Sequence, residues 1–159
     1  MSADAVTIAL LADHPRATVD LQRLFESEWS DYYGADGPGD AAADLAAFCS
    51  RDALPVGVVA LHDGAAIGVA ALKAASIDGY LQFTPWAAAA LVAPAWRRRG
   101  VGAHLVAALE DQARRRGHAA IYTGTATAQS LMRRLGWEYL ETAHHRGEDV
   151  AVFRKRLHV

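Results

Sequence analysis

The stretch WAAAALVAPAWRRRGVG, residues 86–102, predicts a strand, a turn and the start of a helix in immediate succession. The apolar run Trp86–Val92 indicates a strand, and Ala93-Pro94 breaks it. Gly100 and Gly102 let backbone N–H groups turn inward and approach a ligand closely. The helix N-terminus adds partial positive charge, and three arginines add whole charges suited to phosphate. The stretch therefore predicts an anion-binding cradle, although it is neither a P-loop nor a Gly-x-Gly-x-x-Gly dinucleotide site.

Downstream, the pattern predicts a helix, a strand, a second helix and two closing strands. The strands are expected at 119–123, 137–140 and 150–156, and the second helix from about Thr127 to Leu135. The first helix has Val101, Leu105, Ala108, Leu109 and Gln112 on its apolar face and Glu110, Asp111, Arg114 and Arg115 largely on its polar face. Gly117 is a natural exit from that helix.

Upstream, the pattern predicts a strand, two helices and a strand hairpin. The expected elements are a strand at 6–11, helices at 17–28 and from Asp40 to about Cys49, and strands at 56–61 and 65–74 joined by the turn His62-Asp63-Gly64. The segment Trp29–Asp40 between the helices contains three glycines, a proline and three aromatic residues, which indicates a loop.

The predicted order is β-α-α-β-β-β-α-β-α-β-β, which indicates an α/β (α+β) fold. Strands outnumber helices, hairpins lie in the middle, and one crossover helix follows the cradle, so we expect a mixed sheet with helices on both faces. The 159 residues and their 52% hydrophobic content suit one domain over 1–159.

Three segments of the chain resemble the GNAT superfamily of acyl-CoA-dependent N-acyltransferases. They are ALVAPAWRRRGVGAHLVAALEDQARRRG (90–117), AIYTGTATAQSLMRRLGWEYLE (120–141) and VAVFRKRL (150–157). The family signature Arg/Gln-x-x-Gly-x-Gly/Ala is matched by Arg97, Gly100 and Gly102, and its Leu-Gly-Phe/Trp step by Leu135-Gly136-Trp137. The resemblance covers roughly residues 85–157, and the first half resembles the family only in its order of elements.

The resemblance implies a mostly antiparallel central sheet of six to seven strands, flanked by about four helices. Its central strands would splay into a cleft for the acyl thioester, with acetyl-CoA as cosubstrate. The implied cofactor-binding residues are Leu91, Val92, Arg97, Arg98, Arg99, Gly100, Val101, Gly102 and Ala103. A backbone N–H of Leu91 or Val92 would stabilise the charge that develops on the carbonyl oxygen.

The usual acid of the family is missing from its position. Many members carry a tyrosine four residues before the glycine of the Gly-Phe/Trp step, and Met132 stands there in this chain. Tyr122 or a bound water could protonate the leaving thiolate instead, although an ordinary strand aromatic is the simpler interpretation of Tyr122. Thr123 and Thr125 either contact the cofactor or cap the next helix.

The distribution of charge suggests where the acceptor binds. Residues 1–95 carry four basic and twelve acidic side chains, whereas residues 96–159 carry twelve basic and six acidic ones. Either this bias reflects chance and helix-end preferences, or the basic half suits coenzyme A and the acidic half suits an amine. Aromatic side chains of the loop and the following strand would line the acceptor pocket, unless they pack in the core: Trp29, Tyr32, Tyr33 and Trp86.

Composition excludes several other classes of protein. Apolar runs are too short for a membrane span, no signal peptide is apparent, and a cytoplasmic location follows by default. Cys49 is the only cysteine, and the seven histidines lack metal-ligand spacing, so we expect no metal. The arginine triplets allow a nucleic-acid-binding module, but a pI near 6.4 argues against it. An acyl-CoA-binding sensor without transferase activity and a homodimer both stay open.

Overall fold

The computed structural model describes residues 5–158 of the chain, in which seven strands form one sheet. The strands are β1 (Thr7–Leu10), β2 (Val56–His62), β3 (Ala65–Lys73), β4 (Trp86–Val92), β5 (Ala120–Thr125), β6 (Glu138–His145) and β7 (Glu148–Arg156). The helices are α1 (Ala17–Glu28), α2 (Ser30–Tyr33), α3 (Ala41–Ala47), α4 (Val101–Arg115) and α5 (Gln129–Arg134). Short 3₁₀ turns at Leu11–Asp13 and Pro94–Trp96 follow β1 and β4.

The sheet has the order β1-β2-β3-β4-β5-β7-β6, and only β4 and β5 pair in parallel. This confirms the predicted mixed, mostly antiparallel α/β fold: seven strands agree with the expected six to seven, and five helices stand where about four were expected. The predicted domain bounds of 1–159 include residues 1–4 and 159, which lie outside the described residues, and the single domain stays a prediction.

Helices cover both faces of the sheet, as the strand pattern predicts. On one face, α4 and α5 pack against alternate strand residues such as Val58, Ala60 and Phe153. On the other, α1 and α3 pack against Val59 and Val69. We call these the α4 face and the α1 face. A third buried cluster, around Ile77 and Trp86, packs under the segment before β4.

Two tight turns explain the hairpins that flank the centre of the fold. Asp63-Gly64 joins β2 to β3, and Arg146-Gly147 joins β6 to β7. Both residues of each pair have positive φ, at 49° and 81° for the first turn and 51° and 80° for the second. This geometry matches the right-handed twist of paired strands. Because the second turn is so tight, β6 pairs with β7 up to His145, whereas the prediction ended β6 at Leu140.

Two details of the predicted helices are wrong. The loop between α1 and α3 contains a helical turn, α2, where Trp29 and Tyr33 both pack on Phe25 with ring centroids 5.1 Å apart. Glu110 of α4, predicted on the polar face, is only 6% exposed. It is buried because Lys155 of β7 lies 2.9 Å from its carboxylate and the Trp137 indole N–H donates to it at 3.4 Å.

Candidate functional site

The central strands β4 and β5 separate soon after they begin. They pair only at Trp86 with Tyr122 and at Ala87 with Thr123, although β4 continues to Val92. The Thr123 hydroxyl donates to the Ala87 carbonyl at 2.8 Å and closes the narrow end. Among residues 5–158, no strand pairs with the remainder of β4 on its β5 side, and this opens a cleft between the two strands.

A bulge in β4 lies beside this cleft. The register with β3 shifts between Val69 and Ala71, and Ala89 adopts a left-handed φ of 54°. Such a bulge bends the strand and increases its twist. Residues 87–90 of β4 are all alanine, so this wall of the cleft is small and apolar and provides no titratable side chain.

Of the two predicted oxyanion positions, only Val92 directs its backbone toward the cleft. Leu91 stands opposite Val69, and the Ala93 N–H donates to the Ile67 carbonyl at 2.8 Å. Alternate residues of an antiparallel ladder exchange hydrogen bonds with the same neighbour, so Leu91 and Ala93 both bond to β3. The N–H and C=O of Val92 therefore point to the opposite edge, where β5 has diverged.

The predicted cradle lies directly after the open end of β4. Arg98 and Gly100 both have left-handed φ values, 63° and 82°, and α4 begins at Val101. A methyl group built on Gly100 would meet no atom within 4 Å, and one on Gly102 would meet only Leu131, at 3.9 Å. The first-turn amides of α4 have no acceptor within the helix, so open space faces unpaired donors at a positive helix end. This arrangement suits an anion such as a pyrophosphate.

The three cradle arginines occupy different environments. The Arg97 guanidinium donates from Nε to the Val92 carbonyl at 3.1 Å and forms an ion pair with Glu28 at the end of α1. The Arg99 guanidinium lies 5.0 Å from the centre of the Trp96 ring. Arg98 is exposed at the turn itself.

The helix α5 lies beside the cradle but provides no acid. Met132 is 5% exposed and packs in the core of the α4 face. The Thr125 hydroxyl accepts hydrogen bonds from the Thr127 N–H at 3.2 Å and the Ala128 N–H at 2.8 Å. These bonds close the turn before α5, whose own start at Ala128 has no side-chain cap, so both alternatives for Thr125 stay predictions.

Tyr122 and Trp86 pack in the third cluster, apart from the core residues of α5. Tyr122 stacks on Phe83 with ring centroids 4.4 Å apart and an interplanar angle of 4°. Its contacts with Phe83 and Trp86 match the simpler interpretation of a packed strand aromatic. Trp86 is fully buried and donates from its indole N–H to the Phe83 carbonyl at 2.7 Å. Trp86 thus supports the narrow end of the cleft from within the core and does not face an open pocket.

The loop aromatics divide into two groups. Trp29 and Tyr33 pack on the core of the α1 face, and the Tyr33 hydroxyl donates to Asp44 at 2.7 Å. Burial, together with this carboxylate, raises the pKa of Tyr33 well above its ordinary value, so Tyr33 keeps its proton. Tyr32 instead meets Arg146 of the β6–β7 turn, whose guanidinium carbon lies 4.2 Å from the ring centre. The Arg146 Nη2 also donates to the Tyr32 hydroxyl at 3.3 Å.

Sequence reasoning missed three groups that border the site: Glu28, Arg146 and the segment before β4. In that segment Ile77 fills the space beside Gly124, where a built methyl group would lie 2.2 Å from its side chain. Phe83 covers Tyr122. Each of these contacts joins residues more than 35 positions apart, so no local pattern indicates them. The positive φ of Arg146 has a partial signal in the sequence, because Arg-Gly stands between two strand patterns.

Within residues 5–158, no group of three or more His, Cys, Asp and Glu side chains is arranged to hold a metal ion. Across the same residues, no helix has the length and apolar character needed to cross a membrane.

Comparison with known proteins agrees with this architecture. Residues 21–137 match the acetyltransferase (GNAT) family. An aminoglycoside 6′-N-acetyltransferase solved with coenzyme A has a TM-score of 0.76 and 15% identity, covering 94% of this chain and 96% of that one. The aminoglycoside 6′-N-acetyltransferase from Enterococcus faecium has a TM-score of 0.76 and 16% identity, with the same coverage of both chains. The yncA protein of Salmonella typhimurium, solved with its cofactor acetyl-CoA, has a TM-score of 0.71 and 22% identity. The match covers 98% of this chain and 95% of that one. No curated protein matches the sequence significantly.

Proposed function

This chain belongs to the acetyltransferase (GNAT) family, and we propose that it transfers an acetyl group from acetyl-CoA to a primary amine of a small acceptor. The observation that carries the proposal is the cleft between β4 and β5, which opens toward the cradle at the start of α4. Structural neighbours that hold coenzyme A or acetyl-CoA support this choice of cosubstrate.

The cradle fits the pyrophosphate of acetyl-CoA. The amides of Gly100–Ala103 would bind the phosphates, and Arg98 would add a whole positive charge. The pantetheine arm would follow β4, where the N–H of Val92 is available to a carbonyl oxygen. Acetyl-CoA supplies the activated thioester: the acceptor nitrogen forms a bond to the acetyl carbon, the carbon–sulfur bond breaks, and the thiolate leaves.

Proton transfer in this chain relies on solvent. The amine must lose a proton before attack and the thiolate must gain one, but the alanines of β4 and the buried Met132 provide neither group. Tyr122 stays the alternative candidate, at the narrow end of the cleft. We expect water in the cleft to carry both protons, with no contribution from a metal.

The acceptor would approach from the α1 face, over the loop between α1 and α3. Asp31, Asp36 and Asp40 are exposed on this loop and favour an ammonium group nearby. The π face of Tyr32 is covered by the Arg146 guanidinium, so an acceptor ammonium would have to displace Arg146 to stack there. The aminoglycoside acetyltransferases among the structural neighbours act on amines and support an acceptor of this class.

A panel of amine acceptors tests the proposal. We expect thiol release from acetyl-CoA in the presence of at least one small primary amine, in equal amount to acetylated amine detected by mass spectrometry. Binding of acetyl-CoA without thiol release for any amine, amino acid or peptide N-terminus would favour the sensor. A salt-sensitive gel shift would favour the nucleic-acid module. A cytoplasmic location and a homodimer stay predictions, the second measurable by sedimentation.

A further inference from the structure

Arg97, the first residue of the cradle signature, has both ends of its guanidinium engaged within the protein. Its Nε donates to the Val92 carbonyl at 3.1 Å, and its Nη2 pairs with the Glu28 carboxylate. A guanidinium has five donors in a fixed fork, so two partners on different sides fix its orientation. The Nε and Nη2 donors of Arg97 are therefore committed to partners within the protein.

The carbonyl that Arg97 holds lies at the edge of the cleft. The backbone of Val92 points away from β3, and no strand pairs with it there. The same peptide plane carries the Ala93 N–H, which donates to the Ile67 carbonyl at 2.8 Å, so β3 holds one side of the plane and the carbonyl is left at the edge of the cleft. The Arg97 hydrogen bond replaces the missing ladder bond and fixes the end of β4.

The ion pair with Glu28 extends this link across the sheet. Glu28 is the last residue of α1, and α1 packs on the α1 face through Leu21 and Phe25. Arg97 is the first residue of the cradle, and the helix that follows the cradle, α4, packs on the α4 face. The pair therefore connects the two helical layers at the mouth of the cleft, 69 residues apart in sequence.

We infer that Arg97 is a positioning residue, which fixes the end of β4 through Val92 and Glu28, and that it does not bind phosphate. This inference rests on the proposed function, because it concerns how the acetyl-CoA site is held. The phosphates of acetyl-CoA are then bound by Arg98 and by the backbone amides of the cradle. Glu28, on the opposite face, becomes part of the support for the pantetheine arm.

Calorimetric titration of two probes tests the inference. One probe is acetyl-CoA, and the other is adenosine 3′-phosphate 5′-diphosphate, which is coenzyme A without its pantetheine arm. We expect Arg97→Gln and Glu28→Gln each to weaken acetyl-CoA binding about three- to tenfold and to leave the phosphate probe within about twofold. The double variant should be no weaker than the worse single variant, because both changes break one link. Arg98→Gln is the contrast and should weaken both probes.

Two outcomes would overturn the inference. If Arg97→Gln weakens the phosphate probe as much as acetyl-CoA while Glu28→Gln has no effect, Arg97 is a phosphate ligand. If Glu28→Gln tightens acetyl-CoA binding, the ion pair competes with the cofactor. Thermal melting without ligand gives a separate test with wild type, Arg97→Gln, Glu28→Gln and the double variant. A loss of Tm in the double variant smaller than the sum of the two single losses supports the link, and an additive loss contradicts it. Wild-type protein that binds neither probe would overturn the proposed function, while the melting cycle would still decide the link.

Discussion

The two sides of the cleft are built in different ways. The proposed cofactor side is one continuous piece of chain, residues 86–115, in which β4 runs through the cradle into α4. The proposed acceptor side is assembled from segments far apart, so that Tyr32 meets Arg146 across 114 residues. Backbone amides define the first side, and side-chain contacts define the second. Apart from Arg97 and Arg98, the first side should therefore tolerate changes of exposed side chains, whereas the second should be easily reshaped.

The largest expected effect lies in the core below the cofactor side. Met132→Ala removes a side chain that is 5% exposed and should lower the free energy of unfolding by about 2–5 kcal/mol. Urea denaturation measures this loss. Leu81→Ala, at a position 81% exposed on the segment before β4, is the matched control and should change stability by less than about 0.5 kcal/mol. Equal losses would show that Met132 is not packed as described.

Lys155→Met should cost nearly as much, because it leaves the Glu110 carboxylate buried without its closest cation. Lys155 also donates to the Leu135 carbonyl at 2.9 Å, so the change loosens the end of α5. We expect the free energy of unfolding to fall by about 2–4 kcal/mol. This is somewhat less than the usual cost of removing one partner from a fully buried ion pair, because Lys155 is partly exposed. Arg156→Met, the next residue on β7, is more exposed and should change stability by less than about 0.5 kcal/mol. A similar loss in both variants would argue against the buried pair.

Tyr33→Phe tests the packed part of the acceptor loop, with an expected loss of about 0.5–1.5 kcal/mol at neutral pH from the hydrogen bond to Asp44. The pKa of Tyr33 is raised in the folded protein, so its contribution is complete below the unfolded value of about 10 and is lost at higher pH. Wild type and variant should therefore converge in stability above about pH 10. A difference that stays constant to pH 11 would exclude this link.

Arg146→Ala should have the smallest effect on stability, about 0.5–1 kcal/mol, because the contact with Tyr32 is exposed. It should nevertheless lower the KM of a cationic acceptor severalfold, since the ring face of Tyr32 no longer has to be vacated. Acetyl-CoA affinity should change less than twofold, about 0.4 kcal/mol. A raised KM with unchanged cofactor affinity would instead make Arg146 part of the acceptor site.

The sequence predicted what local chemistry determines. The start of α3 at the Asp40 cap, the hairpin at Asp63-Gly64 and the exit of α4 at Gly117 all depend on neighbours in the chain. The sequence did not predict features that depend on contacts between residues far apart in the chain. Glu110 is buried because Lys155 and Trp137 reach it from β7 and the start of β6, and no helical period could indicate this. The turn of α2 forms because Phe25 offers an aromatic surface.

The candidate site shows the same division. The cradle signature located the turn before α4, where a methyl group built on Gly100 or Gly102 would meet little or no protein. The choice between Leu91 and Val92 required the register of β4 with β3. Successive residues of a strand direct their backbone N–H and C=O groups to opposite edges, so a shift of one residue would reverse the choice. The contact that Arg146 makes with the loop between α1 and α3 could not be predicted without the position of the β6–β7 hairpin, because Arg146 lies near the other end of the chain.

Thermal melting with acetyl-CoA tests the central claim, that the cradle at the start of α4 binds the cofactor. Gly102→Glu places a carboxylate in the open space of the cradle, and Gly102→Gln places a neutral side chain of the same shape there. Acetyl-CoA at 100 times its Kd should stabilise wild type by about 2.7 kcal/mol. We expect this stabilisation to vanish in Gly102→Glu and to be reduced but present in Gly102→Gln, with unliganded melting alike in both. A wild-type protein that acetyl-CoA does not stabilise at millimolar concentration, or a Gly102→Glu variant that it stabilises fully, would contradict the account.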